Sequence, residues 1–431
     1  MHSGQGKRYS DIMQFSNMFV VIYCIGVACS FCLNQWLEYV DFSFRRKHGR
    51  EIPQELAEYI TVEDQTRTCE YEDAKYRSFI PENIVTTVFG VFLLFSGFYP
   101  RLFSELWNGT GNVYWTTLLF AFFASVPGAV VSLPFELYKE FVVEKKYGFS
   151  AMTFKLWIQD RIKSVIINLI VAAFLLTVMT MIFEHVNDWW WMLATVYVVF
   201  SLLVSFIYPR FIAPLFNKFT PLEDGELKER VTEYLERTGF KASGVFVMDA
   251  SKRSRHSNAY FTGFGRAKRV VLYDTLVNQL TVDELGAVLG HELGHYKKHH
   301  IVKRFCIVIP LVYAVLFIMN QLIGTEQLYT GFGFPVEEQV FSHMKFIGLF
   351  LLSEVFGSYG ILAGVVENAF SRKDEYAADK FAAQLCGSGK PLASALIKLN
   401  KENKSEIQPA RIYSVFNYSH PTLLERIRTV A

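Results

Sequence analysis

Residues 15–37 read FSNMFVVIYCIGVACSFCLNQWL, a continuous apolar stretch that follows a short polar segment. A helix that crosses a membrane needs about 20 predominantly apolar residues, so this stretch is long enough to span a bilayer. It is too long for the apolar core of a typical signal peptide and lacks a clean small-x-small cleavage site, which predicts an uncleaved span. Six further windows are comparable in length and apolar character: 83–104, 113–136, 164–184, 189–208, 301–323 and 340–366. The sequence therefore predicts a mainly α-helical membrane protein with seven spans.

The composition agrees with a membrane location and excludes several other classes. Of the 431 residues 51% are hydrophobic and 19% charged, whereas soluble domains carry about 25% charged residues. Disorder is excluded because it requires low hydrophobicity and high net charge. A net charge of +2 leaves no dominant basic field, which argues against a nucleic-acid partner. The six cysteines are too few for a secreted disulfide scaffold, and we interpret them as small buried hydrophobic residues.

Basic residues predict how the spans are oriented. The connections after the first and third spans are rich in lysine and arginine, whereas residues 324–339 contain neither. The positive-inside rule then places the odd-numbered connections and the C-terminus in the cytoplasm and the N-terminus outside. Lys7 and Arg8 argue weakly for the opposite orientation.

Two segments outside the spans are therefore expected on the cytoplasmic side, where they form one bipartite domain. The first has β-branched and aromatic runs separated by turn residues, which predict strands. It is expected to contain a helix at 222–238 and strands at 244–250, 258–264 and 269–276. The predicted division of the chain is spans one to five with their loops (1–208), a first catalytic segment (209–300), spans six and seven (301–366) and a second catalytic segment (367–431).

The stretch that carries chemistry is TVDELGAVLGHELGHYKKHH (281–300). Thr281 followed by Glu284 is a capping box, which predicts that a helix begins here. His291 and His295 are four residues apart, so they share one face of that helix within reach of a single metal ion.

Glu292 stands between the two histidines, at the position where H-E-x-x-H proteases hold their general base. Zinc suits neutral imidazole ligands, and a site with an open fourth position is catalytic. The alternative is a pair of histidines that are hydrogen-bonded on a surface helix. His299 and His300 follow on the same predicted helix and are interpreted as polar residues at the membrane interface.

A third ligand is offered by NAFSRKDEYAADKFAAQL (368–385), a predicted helix just beyond the last span. Glu375 and Asp379 are four residues apart on one face of it. One of them can ligate zinc while the other accepts the ring N–H of a ligating histidine. Taken alone, acidic residues on such a helix are more often solvated.

Several blocks of the chain are similar, in the same order, to a known family. They are LPFELYKEFVVEKKYGF (133–149), YPRFIAPLFNKFTPL (208–222), SKRSRHSNAYFTGF (251–264), KRVVLYDTL (268–276), VLGHELGHYKKHH (288–300), FSRKDEYAAD (370–379) and YSHPTLLERI (418–427). Together they resemble the type I CAAX prenyl proteases, which are integral-membrane zinc endopeptidases. The resemblance implies seven spans around a large intramembrane chamber, with a cytoplasmic zincin-like α/β catalytic domain assembled from two segments.

The resemblance also implies roles at the catalytic centre. One zinc ion per chain would be held by His291, His295 and Glu375. Glu292 would activate the attacking water. Asp379 matches the aspartate of the family's E-x-x-A-D motif, which orients the site or assists proton transfer.

Three further residues would serve the substrate. Asn258 would bind the substrate backbone along an edge strand, a mode that tolerates varied side chains. His420 and Arg426 would support the substrate and the developing oxyanion. From the residues alone, His420 is more simply a structural cap and Arg426 a solvated helix residue.

The leading interpretation is a zinc-dependent membrane endopeptidase that removes the aaX tripeptide from prenylated CaaX proteins. The expected partners are those substrates and the bilayer, in the endoplasmic reticulum of a eukaryote or the plasma membrane of a prokaryote; oligomeric state is not indicated. One alternative is a membrane quality-control protease resembling the heat-shock zinc proteases, which typically have fewer spans. Another is a transporter or channel with structural histidines, which prolines in spans and the charges of Lys345 and Glu354 at membrane depth would suit.

Overall fold

The computed structural model describes residues 17–262 and 268–430, which are mostly helical. The first six helices are α1 (Met18–His48), α2 (Val62–Phe95), α3 (Phe98–Thr110), α4 (Val113–Tyr138), α5 (Phe154–His185) and α6 (Trp189–Ile207). The next six are α7 (Glu226–Thr238), α8 (Asp274–Gln279), α9 (Val282–Lys297), α10 (His300–Leu322), α11 (Glu326–Thr330) and α12 (Glu338–Phe341). The last five are α13 (Lys345–Gly357), α14 (Gly360–Cys386), α15 (Lys390–Glu402), α16 (Arg411–Asn417) and α17 (Leu423–Val430). Four strands complete the fold: β1 (Phe219–Pro221), β2 (Gly244–Met248), β3 (Ala259–Thr262) and β4 (Arg269–Tyr273).

Six helices are long and apolar enough to cross a membrane, and a seventh span results when α13 and α14 count as one. These two helices meet at a 67° bend, so the predicted seventh span is broken near Tyr359. The predicted window 83–104 was misplaced. Helix α2 ends at Phe95, and Gly97, at a φ of 75° that favours glycine, separates it from α3. The beginning of the first window and the predicted position of the N-terminus concern residues outside the described range.

The spans pack on their neighbours but bury little of their apolar length. Helix α1 packs on α2, α2 on α4, α4 on α5, α5 on α6 and α6 on α10, so contacts run from each span to its neighbours. The apolar windows of these helices are only 0 to 22% buried. A span that faced lipid on one side and a packed core on the other would bury its inner face. The six cysteines, interpreted above as buried, are accordingly half-buried or exposed.

A large apolar core lies at one end of the spans. Phe103 of α3, Trp189 of α6 and Phe334 pack there against Leu352 of α13, and all are almost completely buried. The core draws on the first turns of α1 and the end of α5 as well, so it ties the spans together at this end. The two segments with the predicted catalytic residues lie at the opposite end of the spans.

A small sheet supports those segments. Its strand order is β1-β2-β4-β3, with β2 and β4 parallel and the outer strands antiparallel to their neighbours. The predictions for β2 and β4 are confirmed, although β4 gives way to helix α8 at Asp274; β1 was not predicted. Strand β3 is an edge strand and packs on α9. Residues 263 and 264 of its predicted range lie outside the described residues.

The two catalytic segments meet where α9 packs on α14. A Cβ on Gly294 would lie 2.9 Å from the Ala378 main chain, and one on Gly290 would lie 3.5 Å from Ala382. Small residues on both helices therefore allow the backbones to approach closely. Helix α14 runs without interruption from the membrane half to this contact, which carries its residues to the histidine helix.

Buried charges attach the C-terminal segment to the spans at this same end. Arg45 of α1 contacts Asp41 (2.7 Å), Asp73 of α2 (2.9 Å) and Glu406. Lys404 donates to the Tyr147 carbonyl at 3.1 Å, in the connection that follows α4. Both basic connections and both catalytic segments thus lie together, as the sequence predicted. The four-part division of the chain stays a prediction.

Candidate metal centre

Helix α9 begins as the sequence predicts. The Glu284 carboxylate accepts from the Thr281 N–H at 2.8 Å, while the Thr281 hydroxyl accepts from the Glu284 N–H at 3.4 Å. Glu284 also accepts from Ser394 and Lys398 of α15, at 2.6 and 2.8 Å. The capping box therefore anchors the start of the helix to the C-terminal segment and orients the face that carries the histidines.

His291, His295 and Glu375 converge as the sequence predicts for metal ligands. The two Nε2 atoms are 3.1 Å apart. Glu375 Oε2 lies 3.3 Å from His291 Nε2, and Oε1 lies 3.2 Å from His295 Nε2. The three donor atoms are all within 4.8 Å of one another, which a single cation can bridge.

The donor set fits a divalent metal ion. Two ring nitrogens that face each other cannot both donate a proton, so at least one presents its lone pair. Glu375 Oε2 is buried and has no hydrogen-bond partner within the described part of the chain, although His420 Nδ1 is 2.9 Å away. Buried polar atoms without partners are costly, and a cation at the centre of the cluster would satisfy them.

The electrostatics of the cluster favour a positive charge at its centre. Burial lowers the pKa of His291, but its contacts with the Asp379 and Glu375 carboxylates outweigh burial and raise the pKa to about 9. Burial also disfavours the charged form of Glu375, yet the neighbouring imidazoles hold the pKa of its carboxyl well below the usual range. A metal ion at the centre of the cluster would supply the charge that a proton otherwise carries.

Asp379 and Arg426 contact His291 on the Nδ1 side of its ring. His291 Nδ1 lies 2.7 Å from Asp379 Oδ1, which leaves Nε2 for the metal. Arg426 donates to both oxygens of this fully buried carboxylate, from Nε at 2.9 Å and from Nη2 at 2.7 Å. Asp379 and Arg426 therefore lie beside the metal cluster, as predicted. The Arg426 guanidinium, however, binds the Asp379 carboxylate, whereas the resemblance implied a contact with the substrate.

Loss of this guanidinium should destabilise the fold. Arg426→Ala leaves the Asp379 carboxylate buried without its partner, which costs about 3–5 kcal/mol of unfolding free energy. The matched control is Arg428→Ala on the same helix, because Arg428 is 62% exposed and pairs with Glu55 at the surface. Such exposed pairs contribute about 0–1 kcal/mol. Thermal unfolding of the detergent-solubilised protein measures both, and equal losses of Tm would contradict the assignment.

A cavity of about 510 Å³ opens beside the cluster. Glu292 and His420 line it together with His295 and Glu375, and burial raises the pKa of Glu292. The lining also includes apolar residues of the sixth span, among them Phe305 and Val308. His420 is 62% exposed, so its ring can contact a bound molecule as well as Glu375. The cavity thus joins the cluster to the membrane half.

His300 also belongs to the centre, and its interpretation as an interfacial residue was wrong. Helix α9 ends at Lys297, and His299, at a φ of 56°, turns the chain so that α10 begins at His300. The buried His300 ring has Nδ1 2.9 Å from His295 Nδ1 and Nε2 3.3 Å from Asp374. A continuous helix would have rotated His300 about 140° away from His295, so the spacing gave no signal.

Asn258 lies at the edge strand that the sequence analysis assigned to the substrate. It directly precedes β3, its side chain accepts from the Ala259 N–H at 2.8 Å, and its carbonyl accepts from the Tyr273 N–H at 3.0 Å. Its side chain is exposed and does not line the cavity at the cluster. The structure therefore places Asn258 on the sheet edge, outside the lining of this cavity.

Two family models match almost the whole chain. Residues 42–218 match the CAAX prenyl protease N-terminal region, described as five membrane helices. Residues 221–431 match peptidase family M48. The boundary between the two falls where the last of the first five spans gives way to β1.

Individual relatives agree over the same length. The CAAX prenyl protease 1 homolog of Dictyostelium discoideum is 35% identical over 399 residues, which cover 89% of this chain and 90% of the relative. CAAX prenyl protease 1 of Saccharomyces cerevisiae is 38% identical over 322 residues, which cover 72% of this chain and 71% of the relative. The crystal structure of S. mikatae Ste24p matches with a TM-score of 0.86 at 32% identity, covering 96% of this chain and 99% of that one.

These similarities confirm the resemblance predicted from the sequence and confirm an enzyme rather than a transporter. They also agree with the geometry, because the family model for the peptidase covers both helices that hold the three donors. The chain belongs to peptidase family M48 and is a multi-pass membrane metalloendopeptidase.

Proposed function

We propose that this protein is a zinc endopeptidase that removes the aaX tripeptide from prenylated CaaX proteins on the cytoplasmic side of its membrane. One observation carries the proposal. The cavity beside His291, His295 and Glu375 is lined both by polar residues such as Glu292 and by apolar residues of the sixth span. Such a cavity suits a substrate with a peptide end and a lipid chain. The names of the relatives support the same substrate class.

Zinc is the metal that suits this donor set, at one ion per chain. Two imidazoles and one carboxylate form the ligand set of many catalytic zinc sites and leave a position open. When bound, zinc acts as a Lewis acid toward the scissile carbonyl and makes water more acidic. His291 is held for this task by Asp379, whose carboxylate Arg426 in turn holds.

Glu292 is the general base. It lies next to the first ligand in sequence and in the wall of the cavity, within reach of a water and of the leaving amine. There it takes a proton from the attacking water and returns it to the leaving nitrogen. Asp379 is turned away toward Arg426, which favours the orienting role over direct proton transfer.

The remaining predicted residues bind substrate or support the ligands. His420 projects a ring beside Glu375 and can donate to the carbonyl oxygen as negative charge develops there. The contact with Asp379 favours a positioning role for Arg426 over the substrate contact that the resemblance implied. Strand β3 is an edge strand among the described residues, and Asn258 beside it would help to align an extended substrate backbone.

The orientation of the protein in its membrane follows from the distribution of its basic residues. The basic connections after the first and third spans lie at the same end of the molecule as the metal cluster. The positive-inside rule places that end in the cytoplasm. In a eukaryotic cell the membrane would be the endoplasmic reticulum, and in a prokaryote the plasma membrane.

Cleavage of a farnesylated CaaX peptide by the detergent-purified protein tests the proposal. We expect release of the aaX tripeptide, complete inhibition by a zinc chelator and recovery on adding zinc. The matched control is the same peptide without its prenyl group, which should be cut far more slowly because it lacks the apolar contacts. Chelator-sensitive cutting of an unprenylated membrane protein, with the farnesylated peptide left intact, would instead indicate a quality-control protease.

A further inference from the structure

A second cavity, of about 640 Å³, lies at the catalytic end of the spans and away from the metal cluster. Its wall is formed by the end of α1, the first half of α2 and the helical segment Lys139–Glu144 that continues α4, with the residues on either side of it. Four exposed cations line it: Arg46, Arg50, Arg77 and Lys146. We name it the basic cavity. Its volume lies within the range of small-molecule sites, about 300–1,000 Å³.

The positive charge of the basic cavity is not neutralised by its own walls. Asp73 also lines the cavity, but it accepts from Arg45 at 2.9 Å and reaches Arg46 only at 4.0 Å. Among residues 17–262 and 268–430, Arg50, Arg77 and Lys146 have no carboxylate within 4.0 Å.

Apart from Asp73, which Arg45 binds, the only carboxylate among the lining residues is that of Glu70. The cavity therefore carries an excess of about three positive charges, counted as four cations less one carboxylate. Arginine dominates the set, and its forked N–H groups match the oxygen atoms of a phosphate.

The position of the basic cavity corresponds to the level of lipid headgroups. Arg77 directly precedes the apolar part of α2, SFIPENIVTTVFGVFLLF, which enters the membrane. Lys146 lies ten residues beyond the predicted end of the third span, or about 15 Å along a helix. Tyr138 and Val142, both exposed, supply an apolar side to the same cavity. The lining thus changes from apolar to cationic with distance from the bilayer core.

We propose that the basic cavity binds the phosphate-bearing headgroup of an anionic membrane lipid. The positive-inside rule explains the sign of such residues, but it does not explain why three separate elements place four of them around one cavity. Basic cavities between spans on the cytoplasmic side suit multiply phosphorylated headgroups. A lipid, rather than a soluble anion, is favoured because the cavity has an apolar side at the membrane border.

Binding of phosphatidylinositol 4,5-bisphosphate to the full-length protein in neutral detergent micelles tests this site. The variant is Arg46→Gln/Arg50→Gln/Arg77→Gln, and its matched control removes three exposed cations elsewhere, as Lys241→Gln/Lys252→Gln/Lys390→Gln. Removal of three charges should weaken lipid binding on the order of 100-fold. The control should bind like the wild type. Bound lipid should also raise the Tm of the wild type and not that of the cavity variant.

Three results would overturn the proposal. Equal binding by all three proteins would mean that the arginines of the basic cavity do not hold the lipid. Equal weakening in both variants would mean that the surface charge as a whole attracts the lipid. Inositol 1,4,5-trisphosphate that binds as tightly as the lipid would identify a soluble anion as the ligand instead. If the triple variant does not elute as a single folded species, Arg77→Gln and Arg77→Lys answer the same question. The glutamine should weaken binding more than the lysine, and no difference between them and the wild type would refute the site.

Discussion

Glu292→Gln should abolish peptide hydrolysis while the protein keeps its metal. The side chain lies in the cavity wall beside the ligands but is not one of the three converging donors. Glutamine keeps the size and removes the ability to accept a proton. General-base catalysis contributes about 10²–10⁴-fold, so kcat on a farnesylated CaaX peptide should fall by at least that factor. Elemental mass spectrometry should find the same metal content as in the wild type.

Glu367→Gln is the matched control for this experiment. Glu367 lines the same cavity and is exposed, but it lies two turns before Glu375 on α14. Its loss should leave kcat close to the wild-type value. Full activity in Glu292→Gln would remove Glu292 from the role of base, and loss of metal from this variant would make it part of the binding site instead.

His295→Ala should release the metal and with it all activity. His295 Nε2 faces both His291 and Glu375 at 3.1 and 3.2 Å, so its removal opens the cluster on one side. Loss of a supporting residue already weakens metal binding about 10–100-fold, and loss of a ligand should weaken it by more than roughly 100-fold. Metal content per chain and peptide turnover should fall together, and added zinc at micromolar concentration should not restore them.

His343→Ala controls for the loss of a histidine that contacts a carboxylate. His343 Nδ1 lies 2.7 Å from Glu184 and stacks on Trp107, at the end of the spans where the apolar core lies. This variant should keep its metal and its turnover. Retention of stoichiometric metal by His295→Ala would show that the ion lies elsewhere.

Local patterns allowed much of the membrane half to be predicted. Six apolar windows coincide with long helices or with the bent pair, because a length of apolar sequence is itself the requirement for a span. The prediction of one span over 83–104 was wrong because α3 is also apolar on one side. Helix α3 buries Phe103 in the apolar core at one end of the spans. Hydropathy does not distinguish lipid from a protein core, so only the left-handed Gly97 marks the boundary.

The histidine helix was predictable for a similar reason. A capping box at Thr281 and a spacing of four between His291 and His295 are properties of a few consecutive residues on one helix. Glu375 and Asp379 were predictable as a pair on one face, but the sequence left open which of them would ligate the metal. The family resemblance assigned those roles, and the geometry agrees with it.

The sequence by itself determined the positions of most spans, the helix that carries the two histidines and the pairing of acidic residues on a second helix. Each of these depends on the periodicity of neighbouring residues. Only the tertiary structure decided that Glu375 reaches the histidines, since the close approach of α9 and α14 depends on small residues from both. It alone placed Arg426 behind Asp379 and turned His300 onto His295. Such contacts join residues far apart in the chain or across a break in a helix, where local periodicity carries no information.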